Sequence, residues 1–186
     1  MVKILKKPQL IEHVWKMNQK ALHLISYGLY VVTSTDGKAL NGQIVNTVMQ
    51  VASRPPTVAV AINKENLTCE YIRDSRVFAA SVLGTDTPME MIGRFGFRSG
   101  RDIDKFENVR YRTGTTGAPV VLDHALAYIE VEVSQEMDVG THILFIGEVV
   151  DADILGEGEP MTYAYYHRVK GGKTPDKATV YIGEED

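Results

Sequence analysis

Asn41, Asn46, Thr47, Ser53, Asn63, Lys64 and Asn66 fall inside or beside two consecutive segments whose other residues are largely β-branched or apolar. A polar group buried without a partner costs roughly 1–3 kcal/mol, so each of these side chains lies on a solvated face or meets a polar ligand. Taken singly, each reads as an outward-facing residue. Clustered on both sides of Pro55 and Pro56, they read as a ligand rim, because a flat heterocycle with several donors and acceptors needs amides and hydroxyls along its edge.

Other chemistries find little support. The chain has no GxGxxG, no P-loop glycine and lysine pair, no GxSxG and no HExxH. The five histidines, His13, His23, His124, His142 and His167, are scattered without ligand spacing, and no metal is expected. Cys69 is the only cysteine, which excludes internal disulfides and rubredoxin-type iron ligation. Redox chemistry would therefore need a borrowed cofactor. A net charge of −4 offers no field for holding a polyanion, so nucleic acid is not an expected partner. The N-terminal lysines precede no uninterrupted apolar core, and no run of roughly 18 apolar residues follows; a cytoplasmic protein with no membrane partner is expected.

The elements that must position the rim can be read from periodicity and punctuation. Leu10, Ile11, Val14, Trp15, Leu22 and Ile25 recur at helical spacing ahead of Gly28. LYVVTST is a strand, Asp36 and Gly37 supply a tight turn, and ALNGQIVNTVMQVAS returns as its partner. Two prolines interrupt pairing before the strand TVAVAIN, and a short helix, LTCEYIRDS, follows Asn66. After the strand RVFAASVL, the combination of Thr87, Pro88 and Glu90 predicts a capped helix over 88–95. GFRSGRDIDKFENV is a polar, glycine-broken loop. Two long strands close the pattern: in ALAYIEVEVSQEMDV, Ala127, Ile129, Val131 and Val133 are expected to face a core with Glu130, Glu132 and Ser134 outward, and THILFIGEVVDADIL follows the turn at Gly140. Many antiparallel strands with few helices predict a mainly β (α+β) antiparallel barrel in one domain over 1–182, with an acidic tail over 183–186.

SYGLYVVTS, NGQIVNTVMQVASRPPTVAVAINKENLT, FAASVL, FGFRSGRDIDKF, GTHILFIGEV and YYHRVKGGKTPDKATVY occur in this order, and together they resemble the flavin reductase-like FMN-binding split-barrel family, in particular its flavoredoxin and high-molecular-weight rubredoxin branch. The resemblance implies a split barrel holding FMN, with FAD possible, and NADH or NADPH as co-substrate. It places Asn46, Thr47 and Val48 on the isoalloxazine edge, largely through backbone groups, and Ser53, Lys64 and Asn66 near the ribityl chain and phosphate, with Asn63 in the same rim. Phe95, Ser99 and Gly100 would border the flavin, while Asp104, Lys105 and Phe106 anchor their loop. His142, at a barrel rim, would lie beside the site of hydride transfer. Tyr165, Tyr166 and His167 precede KGGKTP, an arm expected to pack on a neighbouring subunit of a homodimer. Two departures stand out: Thr141 occupies the Gly–x–His turn where many relatives carry aspartate, and relatives with the KGGKTP ending continue into a rubredoxin module, which this sequence does not show.

The leading expectation is an oxidoreductase passing electrons from NAD(P)H through bound flavin to an acceptor. The alternative is an FMN electron-transfer protein that exchanges electrons with a partner such as a rubredoxin or a flavodiiron oxidase, without nicotinamide turnover. A third possibility, from another class, is a barrel that binds a different ligand or only itself.

Overall fold

The computed structural model describes residues 18–181. The expected helix over Leu10, Ile11, Val14 and Trp15 and the acidic tail lie outside the described residues, and Leu22 and Ile25 are exposed in and after a 3-10 turn over Gln19–Leu24.

Nine strands follow: β1 (Tyr30–Thr35), β2 (Leu40–Val45), β3 (Met49–Ser53), β4 (Pro56–Asn63), β5 (Val77–Leu83), β6 (Tyr111–Thr113), β7 (Pro119–Val121), β8 (Ala125–Asp138) and β9 (His142–Ile154). Three α-helices accompany them: α1 (Leu67–Ser75), α2 (Met89–Phe97) and α3 (Tyr163–Arg168). Seven strands form one antiparallel sheet in the order β2-β1-β5-β8-β9-β4-β3, while β6 and β7 make a separate hairpin.

That order forces the sheet to curl. β2 and β3 are its opposite edges, yet only residues 46–48 join them. Laid flat, seven strands would hold their edges about 29 Å apart, whereas the four chain steps from Val45 to Met49 reach at most about 14 Å. The sheet must therefore roll until its edges face one another, with no ladder between them: a barrel split along β2 and β3. Register shifts in the β8–β9 pairing, between Glu130 and Val131 and between Val133 and Gln135, supply the local bends that rolling requires.

The interior is filled by alternate residues, as the two-residue period of a strand dictates. Val58, Val60 and Ile62 of β4, Phe78 and Ala80 of β5, Val131 and Val133 of β8, and Ile143 and Phe145 of β9 form one cluster, into which α1 inserts Cys69 and Ile72. Val31 points the other way and joins Leu83, Met91, Ile92 and Phe95, so α2 packs outside the barrel.

Several expectations need correction. The stretch 39–53 is two strands rather than one, because the chain leaves β1 at Val45 and crosses the split to pair with β4. Pro55 and Pro56 lie at the turn of that β3–β4 hairpin, where no ladder donor is needed. Helix α2 forms as expected, but without its capping box. Pro88 is the N-cap and makes no side-chain cap bond, and the Thr87 hydroxyl donates to the Gly84 carbonyl at 2.7 Å. Glu130 is fully buried rather than outward, since the β6–β7 hairpin covers it: Thr116 donates to its Oε2 through both amide and hydroxyl at 2.9 Å, and Arg112 approaches Oε1 at 3.5 Å. Val131 and Val133 face the core as expected.

Candidate functional site

The split in the barrel opens into a cavity of about 440 Å3. One wall is β2 and the residue after it, with Asn41, Gln43, Val45 and Asn46; the facing wall is the end of β4, with Ala61 and Asn63. The start of α1 (Asn66, Leu67, Thr68) and the start of β9 (His142) close one end, while the last turn of α2 (Phe95, Gly96, Phe97) and the loop 98–101 close another. Tyr163 and Tyr166 of α3 form part of the floor, and the segment 173–179 crosses the cavity as a strap.

The wall contains polar atoms that the protein leaves unsatisfied. Asn41, 2% exposed, donates from Nδ2 to Thr68 Oγ1 at 2.9 Å, but its Oδ1 accepts nothing. Gln43 Oε1 and Asn46 Nδ2 are likewise buried without partners. Native structures pair nearly all such groups, so three orphans on one cavity wall mark a place where a ligand or ordered water completes the network. The loop closes tightly over this wall: a Cβ on Gly100 would sit 2.1 Å from Asn41 Oδ1.

Cations gather here although the chain is acidic overall. Lys105, 5% exposed, donates to Gly42 O at 2.8 Å and to Phe95 O at 3.2 Å, and burial lowers its ammonium to about 8. It thus ties the loop after α2 to β2 and caps one carbonyl, that of Phe95, in the last turn of the helix. Arg98, Arg101, Lys173 and Lys177 also line the cavity. Arg101 pairs with Glu70 and Lys177 with Glu65, the latter at 2.9 Å, while Arg98 makes no ion pair among the described residues. His142 is half-buried, its Nδ1 2.8 Å from the Thr141 hydroxyl, and burial holds its pKa below the ordinary histidine value, partly opposed by a hydrogen bond to the Lys177 backbone.

The expected site residues divide cleanly. Asn46, Asn63, Asn66, Phe95, Ser99, Gly100 and His142 line this one cavity. Thr47, Val48, Ser53 and Lys64 do not. Thr47 donates its hydroxyl to Ala61 O at 3.1 Å and Val48 packs on the barrel interior. Ser53 is exposed at the end of β3, and Lys64 turns away to Asp138 at 2.6 Å. Among the lining residues that the sequence did not single out, Gln43 carried no signal, because a polar residue on a short strand reads as outward-facing. Lys105, expected as a loop anchor, does anchor its loop and lines the cavity as well.

The arm after α3 makes contacts within its own chain: Tyr163 Oη lies 2.7 Å from Thr174 Oγ1, and Tyr166 Oη donates to Lys173 O at 2.9 Å. Further along, Asn63 Nδ2 donates to Lys177 O at 3.3 Å and the Thr179 hydroxyl to Asn46 Oδ1 at 2.9 Å. Gly172 is required where the arm turns, since a Cβ there would fall 2.1 Å from the Tyr166 ring.

Comparison with known proteins agrees with this architecture. The chain is 53% identical over 166 residues to a ferric-chelate reductase (NAD(P)H) of Archaeoglobus fulgidus, covering 89% of this chain and 98% of that protein. It is 51% identical over 170 residues to a high molecular weight rubredoxin of Moorella thermoacetica, covering 91% of this chain and 74% of the relative. Among solved structures, an FMN-binding protein from Thermus thermophilus superposes with a TM-score of 0.65 at 25% identity, over 70% of this chain and 72% of that one. The family model for the flavin reductase like domain matches residues 22–172, and the chain belongs to that family.

Proposed function

We propose that this protein holds FMN in the cavity at the barrel split and passes electrons from NADH or NADPH through it to an acceptor. The observation that carries this reading is the set of orphaned amide groups on the wall. Asn41 Oδ1 and Gln43 Oε1 are acceptors without donors, and Asn46 Nδ2 is a donor without an acceptor. The pyrimidine edge of an isoalloxazine, with carbonyls on either side of an imide N–H, offers both senses at once. Bound flavin supplies the redox chemistry itself, and the chain supplies position, charge and exclusion of water. The cavity volume suits such a ligand, lying within the roughly 300–1,000 Å3 usual for small-molecule sites. FAD would fit where the cavity opens to solvent.

Asn46, Asn63, Asn66, Phe95, Ser99 and Gly100 are the residues proposed to hold the flavin, with Arg98 and Lys173, which line the cavity without an ion pair among the described residues, proposed in place of Lys64 to meet its phosphate. His142 is proposed to orient the nicotinamide or the flavin edge. Both close relatives support a redox role, one as a ferric-chelate reductase (NAD(P)H) and the other as a high molecular weight rubredoxin. The second of these favours an alternative in which a protein partner, not a nicotinamide, exchanges electrons with FMN. Anaerobic mixing of flavin-loaded protein with NADH and with NADPH, following the oxidised flavin band, decides. Bleaching by either establishes nicotinamide oxidation, bleaching only by a reduced rubredoxin establishes the alternative, and failure to take up flavin removes both.

A homodimer is proposed on separate grounds. Every residue of β3 is exposed, and Met49, Val51, Met137 and Val139 leave apolar surface uncovered. Two-fold pairing is the commonest way to bury such surface. A monomeric mass in sedimentation at micromolar concentration would reject it.

A further inference from the structure

We propose that Thr179 is a positioning residue for the ligand, acting through Asn46 by holding that side-chain amide in place on the cavity wall. The inference rests on the flavin reading above and adds to it a residue far along the chain, within YYHRVKGGKTPDKATVY but not itself marked there.

Asn46 is 7% exposed and lies at the crossing from β2 to β3, where the barrel is split. Its amide reaches the cavity wall from only some rotamers, and a hydrogen bond holds one of them: the Thr179 hydroxyl donates to Oδ1 at 2.9 Å, while Nδ2 is left without a partner. A hydroxyl can pair with either end of an amide, so what Thr179 fixes is the place of the amide in the wall, where the unpaired Nδ2 can meet an acceptor such as a ring carbonyl. The strap is built to deliver Thr179 to this place. Its first part is held at Thr174 and Lys173 by Tyr163 and Tyr166, and its second by Asn63 at the Lys177 carbonyl and by Glu65 at the Lys177 ammonium. The cavity keeps its volume of about 440 Å3 with the strap in place, so strap and ligand need not compete for the same space. The strap is therefore a cover that also orients, rather than a plug.

The test uses Thr179→Val, which keeps the shape and removes the donor, and Thr179→Ser, which keeps the donor. FMN affinity is measured by fluorescence quenching for both, and again in an Asn46→Ala background. Loss of one orienting hydrogen bond should weaken FMN about fivefold to tenfold in Thr179→Val, with Thr179→Ser close to wild type and no further loss when Thr179→Val is added to Asn46→Ala. Wild-type affinity in Thr179→Val, equal weakening by Thr179→Ser, or the same loss with Asn46 already removed would each overturn the proposal. A second readout needs no flavin: the side-chain amide protons of Asn46 in the apo protein should shift or broaden in Thr179→Val and stay in place in Thr179→Ser. An unchanged amide signal would also overturn it. Failure of the wild-type protein to bind FMN would instead count against the functional reading and leave the amide measurement to judge Thr179.

Discussion

Gly100 and Asn41 share one volume: a Cβ at residue 100 would lie 2.1 Å from Asn41 Oδ1 and 3.3 Å from Leu67 Cδ2, so the loop after α2 reaches the cavity wall only because residue 100 has no side chain. Asn41 cannot retreat freely, since it is buried and its Nδ2 is engaged by Thr68.

Gly100→Ala should therefore push the loop outward, at a cost of roughly 1–3 kcal/mol as for other overpacked sites. The expected outcome is a flavin dissociation constant raised about tenfold with a modest fall in the urea midpoint. Wild-type affinity and stability together would show that the loop does not hold the ligand.

Lys105 carries a signature in pH. Burial lowers its folded-state value to about 8, below the unfolded value, so between these two values the unfolded chain holds more protons than the folded one. Stability contributed by this group is thus least below pH 8 and rises as pH climbs from 8 toward the ordinary lysine range. Lys105→Met should flatten that rise, which is on the order of 1–3 kcal/mol. Urea titrations at several alkaline pH values check it, and an identical slope in the variant would place the proton uptake elsewhere.

Glu130 is the buried charge that holds the β6–β7 hairpin to the barrel. Its Oε2 takes both donors of Thr116, and Arg112, stacked 4.4 Å over the Tyr128 ring, reaches Oε1 and Asp151 together. Glu130→Ala removes one partner of that buried set and should destabilise the fold by about 3 kcal/mol. Flavin affinity should stay within twofold, because none of these residues lines the cavity. Thermal unfolding and a flavin titration on the same sample separate the two effects.

His142→Ala should slow nicotinamide oxidation about tenfold to a hundredfold, the usual loss for a positioning group, while FMN affinity changes only a few-fold. Burial keeps the imidazole neutral around pH 7, and it gains its proton only as pH falls below the ordinary histidine value. An acid limb in kcat/KM lying below about 6.5 is expected in the wild-type protein and absent from the variant. Unchanged stopped-flow kinetics in flavin-saturated variant would make His142 structural.

The sequence by itself determined the elements and much of the rim. β-branched runs, the turn at Asp36 and Gly37 and the alternation in the last two strands are local signals, and local sterics answer them. Asn46, Asn63 and Asn66 were legible as cavity residues because polar side chains stood where apolar ones were expected, His142 because it starts a strand at the rim, and Phe95, Ser99 and Gly100 only through the family resemblance. Tertiary structure decided what depends on which face meets which. It alone broke 39–53 into two edges of one rolled sheet, since pairing partners far apart in sequence set that register. It sent Lys64 to Asp138 and buried Glu130 under a hairpin, because neither an ion pair nor a covering loop leaves a mark on the residue it captures. It brought Thr179 to Asn46 across 133 positions of chain, a contact that no local pattern encodes because it exists only once the barrel has rolled and the arm has folded back.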